Sequence, residues 1–510
     1  MDVWWKHISS LLSAQSLFHM LQRLILNMGD QNIGYTLDEA LSTVGFGTFQ
    51  GLVLVFAGLG WVADAMEMTL ISFIGPTVKS EWTLSPTEES LLTTAVFGGM
   101  LVGAFFWGFI SDVYGRRMAM QGSVMIIGVS GLLSAFSPVY MSLIMYRCFL
   151  GFGVGGVHVF PAWFLEFIST SNRGAWLLVI STFWTLGSIL GASLSWIVIP
   201  SLGWRWLLGL SSIPAFLVLL LSCFAPESPR YLYTKGRITD ALGVLEKIAL
   251  INRKELPTGI LLCDQKIGLD EENSPSDETH LLSLTNKKRS YCETYFKSML
   301  ELFSSNLLGT TLLLWLLHFG YAFAYYGFQL LLSELSSGQI ECGSITIHSE
   351  NIQESSHYID VFINSLAEVP GLIVAAILVD RLGRKLTMEI LTILAFILVL
   401  PLLTHQNELV TTASLFGARM FVFAATSTLT IYTKEVYPTS ARGTGCGLST
   451  CVGRVGGMVC PLVAVGLVRG CHQTVAVILF EVVVFVSGFC VLLFPIETNG
   501  KDLTDIVSVE

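Results

Sequence analysis

Long apolar runs constrain the fold of this chain more than any other feature of its sequence. Residues 207–224 and 475–495 carry almost no charge, and each is long enough for the roughly 20 residues that a membrane-spanning helix needs. Hydrophobic residues make up 53% of the 510 residues and charged residues only 13%, against roughly 25% charged in a soluble domain. The sequence therefore predicts an all-α polytopic membrane protein and excludes a soluble globular core.

Hydropathy divides the chain into twelve predicted transmembrane helices. They cover residues 49–75, 88–111, 118–137, 139–165, 174–199, 204–224, 307–332, 357–379, 386–404, 409–434, 442–468 and 471–494. We expect a cytosolic segment at 1–48, six-helix bundles at 49–224 and 307–494, a cytosolic linker at 225–306 and a cytosolic tail at 495–510. The acidic stretch 270–280 is too charged to bury itself, which favours a linker between the bundles.

One short motif occurs in both halves of the chain. Gly108-Phe-Ile-Ser-Asp-Val-Tyr-Gly-Arg-Arg117 recurs 268 residues later as Ala376-Ile-Leu-Val-Asp-Arg-Leu-Gly-Arg-Lys385. Glu166 and Arg173 are repeated as Glu435 and Arg442 with the same spacing, and Pro226-Glu227 is repeated more loosely as Pro495-Ile-Glu497. The chain therefore consists of two pseudo-symmetric copies of one six-helix unit.

The cationic residues predict the orientation of these helices. Of the 28 Lys and Arg residues, 22 fall on the side of the repeated turns. Cytosolic loops carry the excess of Lys and Arg in membrane proteins. We therefore expect both termini and the central linker in the cytosol, in a membrane that the sequence does not specify. Cys342 and Cys471 fall in predicted outer loops, and their pairing is left open.

The repeated motif, Arg147-x-Phe-x-Gly-x-Gly-x-Gly and Pro226-Glu-Ser-Pro-Arg230 resemble the major facilitator superfamily. Phe56-Ala-Gly-Leu-Gly-Trp-Val-Ala-Asp-Ala-Met-Glu-Met68, Tyr325-Tyr-Gly327 and Ala367-Glu-Val-Pro-Gly371 are similar to the synaptic vesicle two-related (SVOP-like) transporters. The resemblance covers about residues 45–500. It implies two bundles that work by alternating access around a ligand near the midplane. It does not supply a ligand.

The charged residues near the repeated turns suggest a cytosolic gating latch. Asp112 is placed to accept from the free N–H groups of residues 443–445, where the helix dipole is positive. We expect four arginines to pair with four glutamates on this face and to stabilise an outward-open state. The alternative is that these charges only set topology. The predicted latch residues are Asp112, Arg116, Arg147, Glu166, Arg173, Glu227, Asp380, Arg384, Arg419, Glu435, Arg442 and Glu497.

Ionisable residues inside the predicted spans mark candidate substrate or proton sites. Asp64 and Glu67 share one face of the first helix, Glu368 lies in the eighth and Arg454 in the eleventh. One interpretation gives an acid to a proton or a cationic group and Arg454 to a carboxylate. The other is a static pair between Arg454 and Asp64 or Glu368 that holds the bundles in register.

Aromatic and histidine side chains complete the predicted cavity. Tyr321, Tyr325, Tyr326 and His318 lie in the seventh span and His158 in the fourth. They are suited to stack on a planar or cationic ligand. Ordinary packing between helices is the alternative for each of them.

Together these features predict a secondary-active or facilitative transporter of a small organic ion or metabolite. A transporter-like protein with a trafficking or binding role is the alternative function. No Walker loop, nucleophile elbow or metal-ligand cluster occurs, so we expect no enzyme activity, no cofactor and no metal. The expected partners are the substrate, with or without a co-transported proton, and the lipid bilayer. We expect a monomer that does not bind nucleic acid.

Overall fold

The computed structural model of the chain describes residues 34–169, 173–261, 300, 302–304, 307–342, 359, 361–404, 408–437, 442–469 and 472–498. Within them, twelve helical segments are long and apolar enough to cross a membrane. Spans 1 to 12 are, in order, Thr48–Lys79, Pro86–Tyr114, Arg116–Ala135, Tyr140–Leu165, Trp176–Leu202, Trp204–Ser222, Leu308–Leu332, Val361–Leu382, Arg384–Leu403, Leu409–Val436, Thr444–Val468 and Gln473–Leu492. The predicted all-α fold with twelve spans is confirmed.

Several helices are longer than the apolar span that they contain, and others are interrupted. The longer helices are Thr48–Trp82, Arg173–Leu202, Leu308–Cys342, Glu408–Val436 and Arg442–Arg469. Span 4 consists of Tyr140–Val154 and Val159–Leu165, and span 6 of Trp204–Ser211 and Ile213–Ser222. Span 9 ends in a 3-10 turn, Leu400–Leu403. In span 8 a turn at Ala367 precedes the regular helix Glu368–Leu382.

The two copies of the repeated motif form equivalent helix hairpins. Gly115 joins spans 2 and 3 with φ +112°, and Gly383 joins spans 8 and 9 with φ +85°. Residues that carry a side chain are strained at such positive φ angles, whereas glycine adopts them freely. We call the end of the bundles that carries these two turns the turn side and the opposite end the far side.

Glycine also allows spans 2 and 4 to approach each other closely. A Cβ atom on Gly151 would overlap the main-chain oxygen of Val96, and one on Gly155 would lie 2.5 Å from that of Met100. The contact is therefore made by backbone against backbone, as is common where small residues line a membrane-helix interface.

The two halves of the membrane part meet in an apolar cluster on the far side. Val361, at the far-side end of span 8, is buried together with Leu70, Phe73 and Ile74 of span 1. The next residue, Phe362, packs against Trp196 of span 5 with ring centroids 5.9 Å apart. The structure is thus closed between spans 5 and 8 at this end.

A charged and aromatic cluster marks the far-side ends of spans 1 and 6. Glu81 accepts hydrogen bonds from Arg205 at 2.9 Å and from the indole of Trp204 at 2.6 Å. Arg205 also lies 4.2 Å from the centroid of the Trp204 ring. The hydrogen bond from Arg205 is the main cause of the lowered pKa of Glu81. Such aromatic residues are typical of a membrane–water interface.

A smaller part of the chain is folded from the segments that flank the first six spans. Its strands Gly34–Tyr35 and Ile260–Leu261 pair in parallel, and its helices are Leu37–Val44, Pro229–Thr234 and Ile238–Asn252. Asp38 forms an ion pair with Arg230. The described part of the stretch predicted as a linker therefore contains the helices Pro229–Thr234 and Ile238–Asn252, whereas its acidic core at 270–280 lies outside the described residues.

Candidate functional site

Arg454 of span 11 makes a direct polar contact between the two halves. Its Nη1 donates to the hydroxyl of Tyr326 at 3.0 Å, and its Nη2 lies 2.5 Å from Nε2 of His158. Nε2 must be the acceptor because a guanidinium only donates, so His158 is neutral with its proton on Nδ1. Tyr326 and Arg454 belong to the second half and His158 to the first, and this contact therefore bridges the halves.

A break in span 4 places His158 at this position. Residues 155–158 form a turn between the two pieces of the span, so the helix is interrupted where the imidazole faces Arg454. His158 is exposed, whereas Arg454 is only 6% exposed. The protein therefore does not fully cover the side chain of His158 at this contact. Interrupted helices that line a water-filled cavity are typical of transporter binding sites.

Asp64 of span 1 adds a negative charge to the same region. It is buried and interacts electrostatically with Arg454 and Glu67, and His158 interacts likewise with Arg454 and Lys434. Oδ1 of Asp64 and Nε of Arg454 are both buried without a hydrogen-bond partner. We call Asp64, His158, Tyr326 and Arg454 the central cluster. It presents a carboxyl group and a guanidinium group, each with one polar atom that makes no hydrogen bond.

Apolar and aromatic contacts enclose the central cluster. Phe97 of span 2 packs edge-on against Tyr326 with centroids 4.7 Å apart, and Tyr325 packs against Tyr326 at 5.0 Å. The hydroxyl of Thr94 in span 2 donates to the main-chain oxygen of Met458 in span 11 at 3.2 Å. Spans 2 and 11 therefore pack together beside the cluster.

Glu67 forms a buried ion pair inside the first half. Its Oε2 accepts from Nη1 of Arg147 at 3.0 Å, and its Oε1 accepts from the hydroxyl of Ser211 at 2.7 Å. The predicted pairing of Arg147 with a glutamate near the turns is wrong. Arg147 lies only seven residues from the far-side end of span 4, and at 1.5 Å per residue the turn side is beyond its reach.

Glu368 forms a second buried pair, inside the second half. Its Oε1 accepts from Arg419 at 2.7 Å and from the hydroxyl of Tyr325 at 2.6 Å. The predicted pairing of Arg419 with a glutamate near the turns is therefore also wrong. Arg419 lies ten residues from the far-side end of span 10, Leu409–Val436, and its side chain does not reach the turn side. The Tyr325 hydroxyl in turn accepts from the indole of Trp184 in span 5 at 2.9 Å. This pair, unlike Glu67–Arg147, is joined to the opposite half.

The predicted latch residues of the second half gather on the turn side. Arg384 donates to both carboxylate oxygens of Glu435, at 3.0 and 2.9 Å. Glu497 accepts from the main-chain N–H groups of Arg384 and Lys385, both at 2.9 Å, and so caps the start of span 9. Asp380 is exposed. These contacts hold the second half together and do not reach the first.

Asp112 and Arg116, two predicted latch residues of the first half, pair with each other. Asp112 is 71% exposed and pairs with Arg116 of its own hairpin, so its predicted contact with residues 443–445 is not formed in this structure. Glu227 accepts from the N–H of Ser228, and Glu166 is partly buried. The side chains of Arg173 and Arg442, and the Cys342–Cys471 pairing, lie outside what the structure describes.

Two predicted cavity residues lie apart from the central cluster. The hydroxyl of Tyr321 is 2.6 Å from that of Thr392 in span 9, and both are buried within the second half. His318 bonds through Nδ1 to the carbonyl of Leu314 in its own helix. Sequence analysis missed Trp184 and Ser211, because an indole or a hydroxyl in an apolar segment does not stand out from its neighbours.

Solved structures of similar shape identify the class of this fold. The major facilitator superfamily proton:xylose symporter XylE bound to 6-bromo-6-deoxy-D-glucose matches with a TM-score of 0.65 and 19% identity, over 91% of this chain and 98% of that one. The inward open conformation of XylE from E. coli matches with a TM-score of 0.62 and 18% identity, over 89% and 98%. These likenesses show the fold, which consists of two six-helix halves arranged as in the major facilitator superfamily.

Sequence comparisons place the chain within that superfamily. The family model for "Sugar (and other) transporter" matches residues 60–509, and the chain belongs to this family. Organic cation/carnitine transporter 7 of Arabidopsis thaliana is 50% identical over 491 residues, covering 94% of this chain and 98% of that protein. Synaptic vesicle 2-related protein of Pongo abelii is 35% identical over 488 residues, covering 92% and 82%. The resemblance predicted from the motifs is confirmed, and transport is favoured over the trafficking alternative.

Proposed function

We propose that this transporter carries a small organic ion that binds at the central cluster. The observation that carries the proposal is the pair of buried opposite charges, Asp64 and Arg454, each with a polar atom that has no hydrogen-bond partner. Charged groups inside a membrane protein are costly unless they meet each other, water or a ligand. A ligand between them satisfies both groups.

The two charges favour a substrate that carries an anionic group, and in particular a zwitterion. Arg454 offers its guanidinium to a carboxylate, with Tyr326 and His158 at the same point. Asp64 offers a carboxylate to a cationic group, and the rings of Tyr326 and Phe97 provide faces for it. The name of the Arabidopsis relative includes carnitine, which supports a substrate with both charges.

Proton coupling and orientation complete the proposal. No ATP-binding loop occurs in the sequence, so uphill transport must draw on an ion gradient, and Asp64 is the group that binds the coupled proton when no cationic group of the substrate occupies it. The proposed form is a monomer in the bilayer. Both termini and the turn side lie in the cytosol, because 22 of the 28 cationic residues lie on that side. Terminal tags should be reached by antibody only after the membrane is permeabilised.

Uptake by reconstituted vesicles tests the substrate class. Labelled carnitine, tetraethylammonium and benzoate represent a zwitterion, a cation and an anion. We expect carnitine uptake to fall at least about tenfold in Arg454→Gln, which corresponds to the roughly 1.4 kcal/mol of a single charge-assisted contact. Asp64→Asn should keep the contact between Arg454 and the substrate carboxylate, weaken carnitine binding through loss of the contact to its cationic group, and lose the pH dependence of uptake. Tyr326→Phe should raise KM.

Two matched controls separate these effects from misfolding. Arg205→Gln removes an arginine at the far-side end, and Tyr140→Phe removes a hydroxyl that donates to the main chain of Glu88. Both should leave uptake unchanged. If only benzoate is taken up, Asp64 is not part of the substrate site. If only tetraethylammonium is taken up, Arg454 is not part of it. Unaltered transport in all three central variants would overturn the assignment.

A further inference from the structure

A lysine near the turn-side end of span 10 lies outside both buried ion pairs and outside the central cluster. Lys434 precedes Val436, where the span ends, by two residues, and its side chain is half-buried. Within the described part of the chain, its Nζ makes no hydrogen bond and no ion pair. An ammonium group with three donors and no partner is unfavourable in a membrane protein unless it meets water or a ligand.

The neighbours of Lys434 along the helix point into the second half. The hydroxyl of Tyr432 donates to the main-chain oxygen of Ile496 at 2.8 Å, and Glu435 forms an ion pair with Arg384. Successive residues of an α-helix are rotated by roughly 100° about its axis. Tyr432 and Glu435 therefore share one face, and Lys434 points at least roughly 100° away from both.

Lys434 instead faces the space between the halves. It interacts electrostatically with His158 of span 4 in the first half and with Cys446 of span 11 in the second. Sγ of Cys446 also lies 3.8 Å from the main-chain oxygen of Thr433, the residue before Lys434. Spans 4 and 11 therefore border the ammonium group.

Lys434 and Arg454 both act on His158, but they lie at different depths. Nη2 of Arg454 is 2.5 Å from the imidazole, and Arg454 lies ten residues from Thr444, the turn-side end of span 11. At 1.5 Å per residue this depth is about 15 Å, whereas Lys434 is only about 3 Å from the end of its span. An anionic group that moves between the turn side and Arg454 therefore passes a second positive charge.

Lys434 has no carboxylate partner among the described residues. Of the acids on the turn side of the second half, Glu435 binds Arg384, and Glu497 accepts from main-chain N–H groups at the start of span 9. A positive charge without a counterion between protein walls attracts anions and raises their local concentration.

From this placement we propose that Lys434 is a second anion-binding subsite, on the turn side of the central cluster, for the anionic group of the substrate. The proposal rests on the proposed transport of an organic ion and adds a position that this group occupies on its way to or from Arg454. The alternative is that Lys434 only complements the dipole at the end of its helix and the orientation of the span.

Charge-selective thiol labelling tests the subsite without any substrate. The reporter is Gly447→Cys, because Gly447 lies two helical turns from Arg454 on the same face of span 11, is exposed, and has room for a side chain. The protein in lipid nanodiscs is labelled at neutral pH with 2-sulfonatoethyl or 2-(trimethylammonio)ethyl methanethiosulfonate, and the rates are corrected for the native cysteines. The ratio of the anionic to the cationic rate reports the local charge, since a change in accessibility affects both reagents.

Neutralising Lys434 should lower this ratio in the reporter protein. In Lys434→Gln we expect a fall of about fivefold, as Coulomb's law gives for one unit charge roughly 8 Å away in water. Lys434→Met is a second neutral variant should the first not fold, and Lys434→Arg should keep the ratio. The matched control is Arg381→Gln, which removes an exposed cation from the turn-side end of span 8 and should leave the ratio unchanged.

Protection by a bound anion tests whether the subsite holds a ligand. Benzoate should slow the labelling of Gly447→Cys by uncharged N-ethylmaleimide, and tetraethylammonium should not. Protection by benzoate should be lost in Lys434→Gln and retained in Arg454→Gln, because the subsite is separate from the central cluster.

Three results would overturn the proposal. The first is an equal labelling ratio in Lys434→Gln and Arg381→Gln. The second is protection by benzoate that is absent from the reporter protein or persists in Lys434→Gln. The third is loss of protection in Arg454→Gln as well, which would mean one shared site. Unaltered carnitine uptake in Arg454→Gln would instead count against the central cluster, and the labelling results would stand.

Discussion

At the scale of single residues, two fully buried ion pairs in the described membrane part have different surroundings. Glu67 is bonded by Arg147 and Ser211, all within the first half. Glu368 is bonded by Arg419 and by a tyrosine whose oxygen accepts from an indole of the first half. In both pairs the arginine comes from the fourth helix of its half, as the repeat requires. The first pair thus supports one bundle, whereas the second is also joined to the contact between bundles.

The Glu67–Arg147 pair makes a direct prediction about stability. Glu67→Ala leaves a buried guanidinium without its counterion and should lower the free energy of unfolding by about 3 to 5 kcal/mol. The double variant Glu67→Met, Arg147→Met replaces both charges by apolar groups and should cost less than about 2 kcal/mol. Thermal melting in detergent compares the two. A double variant as unstable as the single one would show that the pair is favourable in itself.

At the scale of whole helices, breaks in regular structure coincide with the polar sites. His158 lies in the break of span 4, and Glu368 follows the turn at Ala367 in span 8. Breaks of this kind free main-chain groups that must be satisfied by side chains, water or ligand. Elsewhere the helices pack closely, and small residues decide how closely.

Gly151 and Gly108 provide a matched test of that packing. Gly151→Ala places a Cβ on the main chain of Val96 and should destabilise the protein by about 1 to 3 kcal/mol through strain. A Cβ atom on Gly108 of span 2 would meet no other atom within 4 Å, so Gly108→Ala should be neutral or slightly stabilising, given the helix propensity of alanine. Thermal melting of both variants checks the pair, and similar melting temperatures would mean that spans 2 and 4 can shift apart.

The sequence predicts elements better than contacts. Apolar length locates all twelve spans, and the cost of charge in a membrane singles out Asp64, Glu368 and Arg454 as functional candidates. The predicted partners of Arg147 and Arg419 are wrong, because the repeat groups these arginines with the turn-side charges while their depth in the span separates them. Which helix a buried charge faces depends on how helices rotate and cross, and neither periodicity nor spacing determines this.

At the scale of the whole molecule, the two halves are closed on the far side. Val361 is buried in the first half's apolar cluster, and Asp112 on the turn side is largely exposed. The predicted latch is expected to form in the opposite state, in which the far side is open and the turn side closed. The absence of the Asp112 contact here agrees with that expectation and leaves the latch a prediction.

Asp112→Asn tests the latch, and its repeat counterpart Asp380→Asn is the control. If Asp112 contacts the start of span 11 only when the turn side is closed, its neutralisation should favour the turn-side-open form by about 1 to 3 kcal/mol, as expected for a partly buried charge-assisted contact. Labelling of a cysteine placed at exposed Gly447 from the turn side should then become faster. Asp380 is exposed on the other hairpin, so Asp380→Asn should label at the parental rate. Equal rates in both variants would mean that Asp112 serves only to set the orientation of its hairpin.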